Sequence, residues 1–523
     1  MERHLSEFLS PEIIKKAGLI IKELNSDPLI TGMEYDSRKV KPGNLFFAMS
    51  GLHTDGSLFI EDAVSKGALA VVCETSVAGK HPSAVFLPAR DPRYAMSPIA
   101  ASFYDHPSRR MYVTGVTGTE GKSTTTFLIW QLLGFLGKKA GFVSTVQHSL
   151  GGEALWNSEH QTTPEATAVQ RLLWEMVENG CEYAVVESSS HGLSLRTNRL
   201  GDVEFHSAIM TNVTHEHLEF HGTWEQYRHD KANLFRALDR YAPSEAASSK
   251  APFGVVSADD KSCLYFAEAT MQKVFTFSVS GAKADLALET INSGIRGNQY
   301  RVFVKAENEH IEIRDNLPGA YNAGNVLAAF LVASGLTGLP IRKIAPFSNR
   351  LKPVRGRMTA INKGQPYEVV ADYAHTPSSF KTIFPPLRER LNKTGGRIIS
   401  VFGSAGERDT QKRPEQGKIA ADFSDFIIIT DEDPRGEKPM DILEEIACGV
   451  ETSSVFKRGE NLFLIPDRPF AIRKALNLAR GGDLVLLLGK GHENSIIYAD
   501  YVMPFDEISE TEKALGEMGF TSG

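Results

Sequence analysis

The stretch from Met111 to Thr126 reads MYVTGVTGTEGKSTTT. Glycines at 115, 118 and 121 allow a tight turn and let backbone N–H groups approach an anion. Lys122 adds a cation, and Ser123 or Thr124 a hydroxyl able to hold Mg²⁺. Tyr112, Val113 and Thr114 before the glycines suit a buried strand. The residues from Ser123 to Leu136 suit a helix whose positive N-terminus points at the same place. Strand, glycine loop and helix together predict a site for the phosphates of a nucleoside triphosphate. Val116 stands where the GxxxxGK[ST] spacing has its first glycine, so the pattern is the narrower TGTxGKS.

Further polar residues fall at strand ends. Glu187 closes the strand Glu182 to Glu187 and is followed by Ser188, Ser189, Ser190 and His191. A strand from Ser207 closes at Thr211 and Asn212 and leads into HEHLEFHG, and a helix from Thr223 to about Leu238 carries Lys231. In a parallel sheet, residues just past the strand C-termini gather at the crevice where ligands bind. Glu187, Asn212 and His217 are therefore expected to converge on the glycine loop, with Glu187 and His217 as candidate Mg²⁺ ligands. Taken singly, His215, His217 and His221 each also suit a surface or structural role. Asn322 and Asn325 lie one turn apart at the opening of an amphipathic helix.

The elements that must position these groups fall into three units. At 523 residues the chain exceeds one ordinary core. Residues 1–108 alternate strand and helix (Leu45 to Met49, Glu61 to Lys66, Ala68 to Val72) and predict a small N-terminal α/β domain. Within it Asp36-Ser37-Arg38 alone suits a turn or helix cap. Residues 109–352 form a central P-loop ATPase-like α/β domain, with a polar loop over Tyr241 to Phe253. Residues 353–523 hold VRGRMTA and EVVADYAHTP, then strands Arg397 to Phe402, Phe426 to Thr430 and Asp483 to Leu488. Glycine, charge and proline close each of these strands, which predicts a C-terminal Rossmann-like α/β domain with its loops on one edge.

Composition is that of a globular protein, 42% hydrophobic and 23% charged. The net charge of −7 carries no electrostatic footprint for nucleic acid. Cys73, Cys181, Cys263 and Cys448 lack metal or redox spacing and suit buried thiols of a reducing compartment. The first residues, MERHLSEFLSPEIIKKAG, suit an amphipathic helix, and no apolar run reaches membrane-spanning length. A cytoplasmic protein with no membrane partner is expected, with a monomer as the default.

The ordered motifs DSRKVKPGNLFFA, TGTEGKSTTT, TTPEAT, ESSSHGL, TNVTHEHLEFHGTWEQYRHDK, YNAGN, VRGRM, DYAHTP, VFGSAGERDTQKRP, DPRGEKP and GKGHE resemble the Mur ligase family along essentially the whole chain. The resemblance implies an ATP-dependent amide ligase of peptidoglycan precursor synthesis that activates a carboxylate as an acyl phosphate. The subfamily implied by DSR-x-V-x-PG, DYAHTP, the DPR loop and GKGHE adds a diamino acid to UDP-N-acetylmuramoyl-L-alanyl-D-glutamate. It implies ATP contacts from Gly118, Thr119, Glu120, Gly121, Lys122, Ser123, Thr124, Asn322, Arg357 and Asp372, with His375 closing over the nucleotide. Lys122, His217 and Lys231 would be catalytic. Ser123, Glu187, His217 and Lys231 would hold Mg²⁺, the last as a CO₂-derived carbamate; the alternative for Lys231 is an ordinary exposed helix lysine. Ser37, Thr162, Thr163, Ser189 and Arg199 would meet the UDP-sugar peptide. Arg408, Asp433, Pro434, Arg435, Gly489 and Glu493 would meet the amino acid.

Three departures from the family pattern bear on these expectations. Glu120 replaces the usual Asn and should point outward. The chain is two residues longer around Thr197 to Arg199. The usual DNPR reads Glu432-Asp433-Pro434-Arg435: Arg435 favours a carboxylate-bearing amine such as meso-diaminopimelate, whereas Asp433 favours a cationic side chain such as that of lysine or ornithine. A folate-glutamate ligase shares the phosphate loop, but the DSRKVKPG unit argues against it. A nucleotide switch lacks its NKxD motif here, and a catalytically dead homologue is disfavoured by the retained Lys122, Glu187, His217 and Lys231.

Overall fold

The computed structural model describes residues 1–21, 23–50, 55–77, 83–157, 161–214, 218–241, 250–294 and 297–521. It divides into two compact units, Met1–Lys352 and Pro353–Gly523.

The first unit opens with two short helices, Leu5–Phe8 and Pro11–Lys16, where one amphipathic helix was expected. The break has a local cause. Ser10 caps the second helix by accepting from the Ile13 amide, and Pro11 takes the first helical position, where its missing N–H costs nothing. A four-stranded parallel sheet follows, in the order Gly32–Glu34, Asn44–Phe47, Ala70–Glu74, Val85–Ala89. All four residues of Asn44–Phe47 are buried, as a strand covered on both faces must be. Asp36 does cap a turn, the 3₁₀ segment Ser37–Lys39.

An eleven-stranded sheet forms the middle of this unit. The strand Tyr112–Thr117 lies between Tyr183–Glu187 and Ser207–Met210, parallel to both. Ala140–Val143 flanks one side and Phe253–Ser257 and Lys273–Ser278 the other, all parallel. Glu187, Thr211 and the glycine loop therefore leave the sheet at one edge. Leu286–Gly294, Gly297–Val304 and Glu309–Asp315 extend the sheet as an antiparallel meander. The helix Asn322–Thr337 is almost wholly buried. Among the described residues no single helix is long and apolar enough to cross a membrane.

The second unit is a six-stranded sheet in the order Thr359–Ala360, Glu368–Asp372, Leu484–Leu488, Ile398–Phe402, Phe426–Ile429, Leu462–Leu464. All neighbours pair in parallel except the first two. Leu462–Leu464 is a fifth parallel strand beyond the four expected. Because those strands run one way, the loops after Asp372, Phe402, Ile429 and Leu488 share the C-terminal edge.

Candidate active site

The phosphate loop joins Thr117 to the helix Lys122–Phe135. Gly118 has φ +152°, and a Cβ there would lie 1.9 Å from Thr211 Oγ1. Gly121 has φ +82° and lies against Asn325 Oδ1, 2.5 Å from where its Cβ would be. Only glycine passes at either point. The loop is pinned by the next strand end: Asn212 Oδ1 accepts from the Glu120 amide at 2.9 Å, and Thr211 Oγ1 donates to the Glu120 carbonyl at 2.6 Å. The Glu120 side chain is exposed, pointing outward as expected. Thr124 stands in the first turn of the helix, and Lys122 Nζ folds back on the Thr119 carbonyl at 2.8 Å. Asn322 joins the same cluster, since its Oδ1 accepts from Asn325 Nδ2, and Asn325 Oδ1 accepts from Thr125 Oγ1.

Ser123 and Glu187, separated by 64 residues, meet at 2.9 Å in the interior. Thr145 also holds this carboxylate, through its amide at 2.8 Å and its hydroxyl at 3.0 Å. Thr145 was not singled out from the sequence, although its place just past the strand Ala140–Val143 is the same signal that marked Glu187. Lys231 is 1% exposed, so it is not a surface helix lysine. Its Nζ donates to the Gly118 carbonyl at 2.6 Å and lies 4.5 Å from the Tyr227 ring centre. Tyr227 in turn shares a hydrogen bond with Thr119 at 3.1 Å. His215 and His217 fall outside the described residues. His221 is buried and structural: Nδ1 meets Asp230 Oδ2 at 2.8 Å and Nε2 meets Ser190 Oγ at 3.0 Å. Asp230, missed in the sequence, and Ser190 thus tie the lysine helix to the segment after Glu187. Among the described residues no group of three or more His, Cys, Asp or Glu side chains is gathered to hold a metal.

Three of the sugar-peptide candidates share one network. Thr163 Oγ1 donates to the Glu187 carbonyl at 2.9 Å and accepts from the Ser189 amide at 3.0 Å. Arg199 donates to the Thr163 carbonyl and pairs with buried Glu165, each at 2.8 Å. Arg93 approaches the same carboxylate at 3.4 Å. Asn198, beside Arg199, takes a left-handed φ of +50° and donates to the Tyr94 carbonyl. Thr162 adjoins Thr163. Ser37 is buried in its 3₁₀ turn, with its carbonyl held by Lys66 at 3.1 Å.

In the second unit, Asp372 is buried and accepts from the amides of Met358 and Ala374, both at 2.7 Å. Burial pushes its carboxyl above the ordinary range against the opposing charge of Arg357. The Arg357 guanidinium lies 4.8 Å from the Tyr373 ring centre. Burial lowers the His375 imidazole, keeping it neutral.

Around the amino-acid candidates the carboxylate of Asp433 has an ion-pair partner. Asp433 is not an uncompensated negative charge. Its Oδ1 accepts from Lys490 Nζ at 2.9 Å and from the Ile497 amide at 2.9 Å, and Lys490 also pairs with Glu493. Lys490 is 1% exposed. The acidic group left over is Glu432, which is buried beside Gly489 with Oε2 lacking a hydrogen-bond partner among the described residues. Arg435 takes φ +54° and its Nε likewise has no such partner, while Arg408 is exposed. Burial raises the Glu493 carboxyl despite Lys490. Behind this edge, fully buried Arg468 pairs with Glu507 at 2.8 Å and donates to the carbonyls of Asp431 (3.0 Å) and Leu488 (2.7 Å).

A glycine loop at a strand end, backed by a buried carboxylate and a buried lysine, defines a nucleoside-triphosphate-using enzyme. Three family descriptions match in order: "Mur ligase family, catalytic domain" over 29–104, "Mur ligase middle domain" over 116–333 and "Mur ligase, glutamate ligase domain" over 356–491. UDP-N-acetylmuramyl-tripeptide synthetase of Treponema denticola is 48% identical, covering 96% of this chain and 97% of its own. UDP-N-acetylmuramoyl-L-alanyl-D-glutamate–2,6-diaminopimelate ligase 1 of Clostridium acetobutylicum is 37% identical over 96% and 98%. A solved structure of a UDP-N-acetylmuramoyl-L-alanyl-D-glutamate–2,6-diaminopimelate ligase superposes with a TM-score of 0.60 at 27% identity, covering 94% and 96%. The chain belongs to the Mur ligase family, the ATP-dependent ligases of peptidoglycan synthesis.

Proposed function

We propose that this chain joins a diamino acid to UDP-N-acetylmuramoyl-L-alanyl-D-glutamate, driven by ATP and passing through an acyl phosphate. The observation that carries the reading is the meeting of the Gly118–Ser123 loop with Glu187 and Lys231 in a chain alike end to end to tripeptide synthetases. We place the domain boundaries at 1–108, 109–352 and 353–523. Thr163, Ser189 and Arg199, with Ser37 and Thr162, hold the sugar-peptide. The glutamyl carboxylate and the γ-phosphate are both anions, so positioning and neutralising charge is the main work. Lys122 supplies one cation and the N–H groups of the loop supply oriented dipoles. Asn322, Arg357, Asp372 and His375 complete the nucleotide site.

The oxygen donors Ser123 Oγ and Glu187 suit Mg²⁺, with His217 as a further ligand. Held there, Mg²⁺ would supply neutralisation of the phosphate charge. Lys231, buried beside Gly118, would serve as a carbamate, turning a cation into an oxygen ligand.

The incoming amine is held by Arg408, Asp433, Pro434, Arg435, Gly489 and Glu493. A fork from Arg435 onto a carboxylate favours meso-diaminopimelate, while Lys490, shared by Asp433 and Glu493, leaves Glu432 as the group that favours lysine or ornithine. The protein is taken to act in the cytoplasm as a monomer.

The test is ligation with Mg²⁺, bicarbonate and each of the three amines separately, reading product mass. A tripeptide product from one amine supports the reading and names the amine. Release of phosphate with no product from any amine overturns it, and folate with glutamate is then the next substrate to offer.

A further inference from the structure

The helix that begins at the phosphate loop borders, over its last turns, a cavity of about 860 Å³ that does not include the loop. Phe127, Trp130, Gly134 and Phe135 form one wall, and every lining residue belongs to the first unit. The Phe127 and Trp130 rings stack at 5.4 Å. Trp130 Nε1 is satisfied by the Ala140 carbonyl at 3.0 Å, so its remaining free surface is apolar. The lining also holds Lys138, Lys139, Arg350 and Lys352 and no carboxylate. Glu153 sits between two lining residues in sequence but is exposed and outside the lining.

A bland account covers part of this. Cations after a helix C-terminus are favoured by its dipole, which explains Lys138 and Lys139. It leaves out Arg350 and Lys352, which arrive from a distant segment, and Arg350 stands 4.2 Å over the Phe135 ring. It also leaves out Gly134. Gly134 is the next-to-last residue of the helix, and a Cβ there would meet nothing within 4 Å. The missing side chain keeps the cavity open and is not forced by packing. Aromatic walls, a cationic rim and this volume are the make-up of a small-molecule site.

The geometry points to a second binding site, separate from the ATP and substrate sites, for a planar aromatic anion: an aryl or heteroaryl ring bearing a carboxylate, sulfonate or phosphate. The ring lies along Phe127, Trp130 and Phe135, and the anion meets the lysines and Arg350.

The probe is 8-anilinonaphthalene-1-sulfonate, titrated by fluorescence in saturating MgADP and UDP-N-acetylmuramoyl-L-alanyl-D-glutamate so that the nucleotide and sugar-peptide sites are both filled. The neutral N-phenyl-1-naphthylamine serves as the uncharged control. Saturable binding is expected, weakened about tenfold or more by Gly134→Leu, whose side chain takes up the space along the aromatic wall where the ring would lie. The Lys138→Gln/Lys139→Gln double variant should weaken it about threefold or more, with the neutral probe little affected. Competition by uridine 5′-monophosphate assigns the site to nucleotides, and competition by 2-naphthoate assigns it to aryl acids. Sulfonate binding unchanged in both variants, or equal binding of the neutral probe, overturns the site. Thermal unfolding and ADP affinity of Gly134→Leu establish that it is folded, and the surface lysine variant stands as an independent test.

Discussion

Replacing Arg468 by methionine should selectively weaken the C-terminal unit. The guanidinium is fully buried, makes two bonds to Glu507 (2.9 and 3.0 Å), and caps the carbonyls of Asp431 and Leu488. Removing one partner of a buried ion pair costs about 3–5 kcal/mol, because the other charge is left uncompensated. Burial already holds the Glu507 carboxyl above its ordinary 4.5, with Arg468 opposing the rise. Without Arg468 the carboxyl rises further. Ionised Glu507 then destabilises the fold increasingly as pH climbs, so the loss should be smaller at acid than at alkaline pH. The double variant Arg468→Met/Glu507→Leu removes the stranded charge but leaves two carbonyls unpaired, at about 1–3 kcal/mol each. About 2 kcal/mol or more should therefore persist. Urea unfolding can separate the units, because all four tryptophans (130, 156, 174 and 224) precede Pro353. The far-UV circular dichroism transition should move to lower urea while the tryptophan transition stays. Asp431 and Leu488 directly precede Glu432 and Gly489, so KM for the amine should rise with KM for ATP unchanged. A loss below about 1 kcal/mol, an equal shift in both probes, or full recovery in the double variant would refute the reasoning.

Other outcomes follow from the same geometry. Glu187→Gln should keep the Ser123 contact yet lower kcat by about 10²-fold or more, read by phosphate release, because a neutral amide cannot replace a carboxylate at a cation. Burial lifts Asp431 to about 6 from 3.8, with the Tyr498 hydroxyl and Arg468 opposing. A raised carboxyl favours the fold while protonated and loses that stability as pH rises through the folded value. Asp431→Asn should therefore gain stability relative to the parent between pH 3.8 and about 6, read by urea midpoints on either side of that window. Gly134→Ala should raise stability by up to about 0.5 kcal/mol, since alanine is favoured over glycine even in the last helical turn and no atom is displaced. Gly121→Ala should raise the ATP KM, because a Cβ at φ +82° would press on Asn325 Oδ1.

The parts of the site legible in the sequence are those carried by contiguous residues. Gly118 to Ser123 advertises its own turn, cation and hydroxyl, and Glu187 and Asn212 are marked by ending apolar runs. The Ser10-Pro11 pair also marks a helix start, so the split N-terminal helix was written there in a cap and a first-turn proline. The meander left a trace too, since alternate residues Asn298, Tyr300, Val302 and Val304 are the buried ones of their strand. Leu462–Leu464 is too short to show a period. The pairing of Asp433 was not legible, because Lys490 lies 57 residues away and follows a strand separated from that of Asp433 by Ile398–Phe402, an order only the folded sheet sets. Burial of Lys231 was hidden for a similar reason: its helix presents an ordinary polar pattern, and only the strand beneath it determines which face is covered.

The division of the chain at Lys352 and Pro353 has an evolutionary consequence. The phosphate loop, Glu187 and Lys231 lie before it, and the residues proposed to choose the amine lie after it. A single recombination crossover there exchanges one set of amine preferences for another while leaving the phosphate loop and its supporting carboxylate untouched. Arg357 and Asp372 lie after the crossover and are exchanged along with the second segment.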